Sequence, residues 1–211
     1  LSDSINKYIP YAFSPEYGYL FSNSTENGSG FQLLSLLHIP ALSMLKCFPE
    51  VQKIADNLSI NIVPYQEQGG NPLFCLLSTR TIQGKDEKDS THRVRRAIEL
   101  ISEIERDARE EYYYEFEPQI DDAIWRSFGV LSHARMISYR EAFEYLSNIR
   151  LGIILSIIKG RSLSDINKLL FLIRRNHVLT YFGSSDSTQL ESDRSRAQLI
   201  RQFFSSETFN V

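Results

Sequence analysis

The chain has 211 residues, of which 42% are hydrophobic, and its formal net charge is −3 at pH 7. This size and composition are typical of a globular protein with a real core, and the lack of a basic excess argues against a nucleic-acid partner. Two cysteines do not make a disulfide framework, so we expect a reducing, cytoplasmic compartment. No apolar run reaches the ~18 residues of a membrane span, so no membrane association is expected.

A polar, glycine-bearing loop separates a short strand from an apolar run near the start of the chain. Residues 17–21 alternate as in a strand, residues 23–30 are polar, and residues 31–48 are apolar at nearly every position. The apolar run predicts a buried helix that Pro40 kinks. Loops of this kind bind phosphate in some proteins, although an ordinary connection is the simpler interpretation of these residues alone.

The next part of the chain mixes helices and strands. A helix that starts with proline is predicted over residues 49–57, and two strands are predicted over residues 60–63 and 73–77. Cys75 lies in the second strand and is expected to be a buried, inert thiol. Apolar residues at helical spacing predict a long amphipathic helix over residues 94–112. Its outer face is expected to carry the charged residues Glu99, Glu103, Glu105, Arg106 and Arg109.

The remainder of the chain shows only helical signals. Residues 120–131 carry one apolar stripe, and Ser138 with Glu141 forms a capping box at the start of another helix. Ser164 is expected to cap the following helix, and residues 190–204 predict the last one. A mixed front part followed by helices alone indicates an α+β protein with a boundary near residue 116.

Residues 18–42 keep a specific spacing. The residues that define it are Gly18-Tyr19-Leu20, Thr25, Gly28, Gly30, Ser35, His38 and Pro40-Ala41-Leu42. This spacing resembles a motif of the phosphagen (guanidino) kinase family, and most closely its bacterial protein-arginine kinase branch. The stretch from Trp125 to Leu131 is similar to the family's helical C-terminal domain. The resemblance implies a partial catalytic lobe over residues 1–116, an antiparallel sheet flanked by helices, and a helical domain over residues 117–211.

The positions that carry the family's chemistry differ from the motif. Asn23 stands at the position of the loop cysteine, and Gln32 and Pro64 stand at two arginine positions that hold nucleotide phosphate. Arg80 is a further candidate for the nucleotide site, with a solvated surface arginine as the alternative. Phosphoryl transfer depends on cations around the phosphates, so these replacements predict impaired catalysis and no catalytic residue is assigned.

A second resemblance lies near the end of the chain, in Ser192-Asp193-Arg194-Ser195-Arg196-Ala197. It is similar to the Arg-Asp-x-x-Arg-Ala pattern of the family's phosphoarginine pocket, with Ser192 in place of the first arginine. The i, i+3 spacing puts Asp193 and Arg196 on one helix face. The resemblance implies that this pair binds phosphoarginine, and an ordinary surface ion pair is the alternative.

Taken together, the resemblance implies a protein-arginine-kinase-like protein that is catalytically impaired. It would act by dimerisation and by binding arginine, phosphoarginine or a partner protein of an arginine-phosphorylation and protease system. One alternative is an active protein-arginine phosphotransferase within a longer chain, which would use ATP and magnesium; another is a scaffold without a ligand. The four histidines show no metal-ligand spacing, so no metal site is predicted. Leu1 is either a natural start or a fragment boundary.

Overall fold

Helices and two small antiparallel sheets make up the described chain, so the predicted α+β class is confirmed. The structure is a computed structural model that describes residues 2–22, 27–28, 31–65, 73–79, 87–183 and 188–205. It divides into a first unit, Leu1–Gln66 with Phe74–Arg109, and a second unit, Glu67–Leu73 with Glu110–Val211. Within the described ranges, none of the helices combines the length and the apolar character that crossing a bilayer requires.

The first unit contains a short hairpin, a three-stranded sheet and four helical segments. Its elements are α1 (Ser2–Asn6), β1 (Phe13–Ser14), β2 (Gly18–Tyr19), β3 (Leu34–His38), α2 (Pro40–Met44), α3 (Phe48–Asn57), β4 (Ile60–Tyr65), β5 (Phe74–Thr79) and the front of α4 (Glu87–His133). The predicted helix over residues 49–57 and the two predicted strands are confirmed. Strand β4 ends two residues later than predicted, and β5 begins one residue later and ends two residues later than predicted.

The three-stranded sheet has β5 at its centre and the order β3-β5-β4, with both pairs antiparallel. One face is apolar and fully buried at Ile60, Cys75 and Leu77. This inner face packs with Val51 of α3 and Ile101 of α4 in a single core cluster. The helices therefore cover one side of the sheet, which explains the alternation of buried and exposed residues along β4.

The predicted buried helix over residues 31–48 is wrong. This part of the chain forms strand β3, and Pro40 begins the short helix α2 instead of kinking a longer one. Periodicity does not distinguish a short apolar strand from a buried helix segment. Proline favours the first helical turn because it has no N–H to donate and its φ is fixed, so Pro40 marks a helix start.

The carboxylate of Glu105 is buried beneath α2. It accepts hydrogen bonds from the N–H groups of Leu42 at 3.0 Å and Ala41 at 3.3 Å, and Arg109 Nε donates to it at 3.4 Å. The residue before α2, Ile39, offers no side-chain cap, so Glu105 fills that role from α4. Its predicted position on the outer face of α4 is therefore wrong, because the residue is only 2% exposed.

The elements of the second unit, within its described residues, are helices. They are the rear of α4, α5 (Tyr139–Ile154), α6 (Leu163–Leu172), α7 (Arg175–Tyr181) and α8 (Gln189–Ser205). The span from Glu87 to His133 is not one regular helix, since Phe116 has non-helical backbone angles (φ −124°, ψ 27°) and this kink, two residues before Pro118, separates two helical segments. The domain boundary near residue 116 stays a prediction. Leu146, Ile166 and Phe203 are fully buried in the main core of this unit.

Of the two helix caps predicted in the second unit, one is confirmed and the other is wrong. Ser138 and Glu141 form the predicted capping box at the start of α5, with both reciprocal hydrogen bonds present. The predicted cap Ser164 is wrong, since Ser162 is the N-cap of α6 and accepts a hydrogen bond from the N–H of Asp165. Helix α7 was not predicted at all; its N-cap, Arg174, makes no side-chain capping bond.

Burial raises the pKa of Glu105 above its ordinary value of 4.5, although the two N–H groups and Arg109 act in the opposite direction. Because the native state then binds a proton more tightly than the unfolded chain, the ionised carboxylate disfavours folding. The wild type should lose unfolding free energy relative to Glu105→Gln as the pH rises from 4.5 through the raised pKa, with a constant difference below that window. Urea unfolding at a series of pH values measures this.

Glu103→Gln is the matched control, because Glu103 lies on the same helix with its side chain exposed. It should change the unfolding free energy by less than about 0.5 kcal/mol at every pH. Parallel pH profiles for the wild type and Glu105→Gln would contradict the buried, pH-sensitive role of Glu105.

Candidate functional site

The two predicted nucleotide positions in the described chain lie far apart on the sheet. Gln32 is exposed and precedes Leu33, whose carbonyl accepts a hydrogen bond from the N–H of Thr79 at 3.1 Å. Pro64 is exposed on the opposite edge strand and faces Cys75 across the ladder. Thr79 and Cys75 are separated by about 13 Å along β5. The structure therefore does not bring Gln32 and Pro64 together, and Asn23 and Arg80 lie outside the described residues.

The first unit offers little other chemistry in its described part. Burial, with a smaller contribution from the nearby Glu105 charge, raises the pKa of Cys75 to about 12, so its thiol stays protonated. This agrees with the predicted inert thiol. Across the described ranges of both units, no cluster of three or more histidine, cysteine, aspartate or glutamate side chains is placed to hold a metal ion.

The side chain of Arg196 donates four hydrogen bonds within the second unit. Its Nε donates to the carbonyl of Ile173 at 2.7 Å, and Nη1 donates to the carbonyl of Ile137 at 2.9 Å and to Asp193 Oδ1 at 2.5 Å. Its Nη2 donates to Ser192 Oγ at 3.2 Å. The side chain is 1% exposed. Arg196 thereby ties the loop before α5 and the end of α6 to helix α8.

The structure places the predicted pair, Asp193 and Arg196, in direct contact on α8. Asp193 keeps 16% of its side chain exposed and also accepts a hydrogen bond from Gln189 Nε2 at 2.9 Å. The N–H of Ile137 donates to the carbonyl of Asp193 at 3.2 Å, which closes a second link between the loop and α8. Most N–H groups of the Arg196 guanidinium donate to these internal acceptors. Arg196 therefore supports the structure around a site and offers few N–H groups to a ligand.

A pocket of about 520 Å³ opens beside this network. We call it the arginine pocket, and it is lined by Ser138, Tyr139, Arg140, Arg174, Arg175, Gln189 and Arg196. No carboxylate is among these lining residues. Arg140, Arg174 and Arg175 are exposed, so their guanidinium groups can reach a ligand from solvent.

The sequence prediction missed most of this pocket. It singled out Asp193 and Arg196, while Arg140, Arg174 and Arg175 come from two other segments. A signal existed in the doublet Arg174-Arg175, which lies between two apolar helical stretches where a short loop is expected. The sequence alone did not show that this loop meets the start of α5.

Comparison with known proteins identifies the family of this chain. Residues 1–108 match the model of "ATP:guanido phosphotransferase, C-terminal catalytic domain", and residues 117–210 match "Protein-arginine kinase McsB C-terminal domain". The chain belongs to the ATP:guanido phosphotransferase family, in its protein-arginine kinase branch. The resemblance expected from the sequence is thereby confirmed.

Individual protein-arginine kinases are similar over nearly the whole chain. That of Bacillus licheniformis is 33% identical over 204 residues, which are 96% of this chain and 56% of the relative. Those of Bacillus subtilis and Halothermothrix orenii are 32% and 31% identical, with 56% and 58% of each relative covered. The chain thus spans little more than half the length of the curated relatives it matches.

Arg196→Lys should destabilise the second unit. A lysine has a compact ammonium that cannot reproduce the four bonds of the planar guanidinium, and it leaves Asp193 and two carbonyls with poorer partners. We expect a loss of about 3 kcal/mol in unfolding free energy, measured by urea denaturation. Arg194→Lys, at an exposed position of the same helix, is the control and should cost less than about 0.5 kcal/mol. Equal stability of the two variants would contradict the bonding role of Arg196.

Proposed function

We propose that this chain binds phosphoarginine side chains of proteins in the arginine pocket and does not itself transfer phosphate. The observation that carries the proposal is the lining of the pocket, where four arginines converge. Phosphate groups are bound most strongly by arginine forks, since two parallel N–H bonds match two phosphate oxygens. The match of this region to the C-terminal domain of a protein-arginine kinase supports the choice of phosphoarginine.

The pocket also offers partners for the guanidinium part of such a ligand. Asp193 contacts the lining residue Arg196 and keeps 16% of its side chain exposed, and its carboxylate is an acceptor for the N–H groups of an arginine. Tyr139 lines the same space, and the guanidinium of Arg196 lies 5.9 Å from its ring centroid. A ring in this position favours planar cations. Together these groups favour a ligand with a phosphoryl end and a guanidinium end over free phosphate.

Two alternatives lead to different results. An active ATP-dependent phosphotransferase within a longer chain would need other cations in place of those missing at Gln32 and Pro64. A scaffold without a ligand would leave the arginine pocket empty. Dimerisation and association with a partner protein, which the family resemblance implies, stay predictions; sedimentation velocity on the purified chain tests the first.

Isothermal titration with a phosphoarginine-containing peptide tests the pocket. Arg140→Ala, Arg174→Ala and Arg175→Ala should each weaken binding about tenfold or more, because each removes a charge-assisted hydrogen bond. Arg194→Ala is the control, since Arg194 is exposed on α8 outside the pocket lining, and it should bind like the wild type. Peptides with unmodified arginine or phosphoserine should bind more weakly. If the phosphoarginine peptide gave no heat of binding, the result would contradict the proposal and favour a scaffold without a ligand.

A phosphotransfer assay tests the absence of catalysis. With ATP, magnesium and an arginine-rich protein, the chain should form no phosphoarginine above the background. Loss of a single transition-state contact costs about 3 kcal/mol, or roughly 100-fold in rate, and two cationic positions here hold uncharged residues. Mass spectrometry of the acceptor protein measures the product. Clear formation of phosphoarginine by this chain would favour the phosphotransferase alternative.

A further inference from the structure

The side-chain amide of Gln189 is held in one orientation in the lining of the arginine pocket. Its Nε2 donates to Asp193 Oδ1 at 2.9 Å, one turn further along α8. The opposite orientation would place two acceptors, the amide oxygen and the carboxylate oxygen, against each other. Asp193 Oδ1 also accepts from Arg196 Nη1 at 2.5 Å, so the carboxylate that orients the amide is itself held in place. Nε2 is therefore the end that bonds to the protein, and Oε1 is the end turned away from Asp193.

The other side chains of the pocket offer few acceptors to a ligand. The four arginines of the lining are donors only. The hydroxyl of Ser138 is engaged by Glu141, since it accepts from the N–H of Glu141 at 3.2 Å and donates to Glu141 Oε2 at 2.7 Å. The hydroxyl oxygen of Tyr139 is buried. Gln189 is exposed, and within the part of the chain that the structure describes its Oε1 accepts no hydrogen bond.

The two ends of a phosphoarginine side chain need different partners. Its phosphoryl oxygens accept hydrogen bonds, and the arginines of the lining supply the donors. Its guanidinium nitrogens carry N–H groups, and these need acceptors. Phosphoserine joins its phosphorus to the side chain through oxygen and has no N–H at that point. An acceptor in the lining therefore distinguishes a phosphorylated guanidinium from a phosphate ester with the same phosphoryl oxygens.

We propose that Gln189 Oε1 accepts an N–H group of the bound ligand and thereby makes the arginine pocket selective for phosphoarginine over phosphate esters. This selectivity rests on the proposed binding of phosphoarginine in the pocket. Gln189 is then a specificity-determining residue, and the carboxylate of Asp193 decides which end of its amide meets the ligand. A site that hydrogen-bonds an N–H of its ligand rejects an analogue without that group, because the acceptor is left without a partner.

Competition against a fluorescent phosphoarginine peptide tests this role with two peptides of one sequence, which carry phosphoarginine or phosphoserine at the same position. Gln189→Met keeps the length of the side chain and removes both ends of the amide. It should weaken binding of the phosphoarginine peptide about tenfold and change binding of the phosphoserine peptide less than about twofold. Gln198→Met is the matched control, because Gln198 is exposed on the same helix outside the pocket lining, and it should change neither.

NMR gives a second measurement on the unmodified chain. The chemical shift of the Gln189 Cδ carbon responds to hydrogen bonds at Oε1, so it should change when the phosphoarginine peptide binds and stay the same with saturating phosphoserine peptide. The Cδ shift of Gln198 should not respond to either peptide.

The outcomes separate the role of Gln189 from the binding of phosphoarginine itself. If the wild type binds the phosphoarginine peptide and Gln189→Met binds it equally well, or loses both peptides by the same factor, the role of Gln189 is overturned and the proposed function stands. An unchanged Gln189 Cδ shift in the phosphoarginine complex would also overturn that role. If the wild type binds neither peptide, the proposed function and this selectivity are both overturned.

Discussion

The first unit depends on one buried carboxylate. Glu105 reaches from α4 to the N–H groups of Ala41 and Leu42, so the start of α2 is bonded to a helix more than sixty residues away. Because α2 follows β3 directly, this contact also fixes where the strand leaves the sheet. A buried charge is costly without partners, and here two N–H groups and Arg109 supply them. The arrangement makes α4 the support of both the sheet and its connection.

The second unit uses a buried cation in a similar way. Arg196 bonds to the carbonyls of Ile137 and Ile173 and to Asp193, so three separate segments meet at one guanidinium. In both units a charged side chain completes main-chain hydrogen bonds at the end of a helix or in a loop. The difference lies in exposure to ligands, since the arginine pocket opens beside Arg196, whereas Glu105 has only protein neighbours.

The sequence predicted the elements whose signals are local. The capping box of Ser138 and Glu141 and the periodicity of α4 need only neighbouring residues, and both are present in the structure. The sequence indicated a helix in place of strand β3 because leucines stand on both faces of this segment, and which face packs depends on β5. The sequence predicted Glu105 on the outer face of α4, because the N–H groups that bind its carboxylate belong to α2, which is distant in sequence. Arg174 and Arg175 were missed for the same reason, since their neighbours at the start of α5 are distant in sequence.

The bonding of Arg196 has a consequence for how this pocket can diversify. Two of its four partners are main-chain carbonyls, which no side-chain replacement removes, and the serine at position 192 still fits as a third. Arg140, Arg174 and Arg175, by contrast, lie exposed at the rim of the pocket. Because replacements at exposed positions usually cost less folding free energy than those at buried positions, the rim can change the ligand preference while the buried guanidinium of Arg196 keeps the architecture in place.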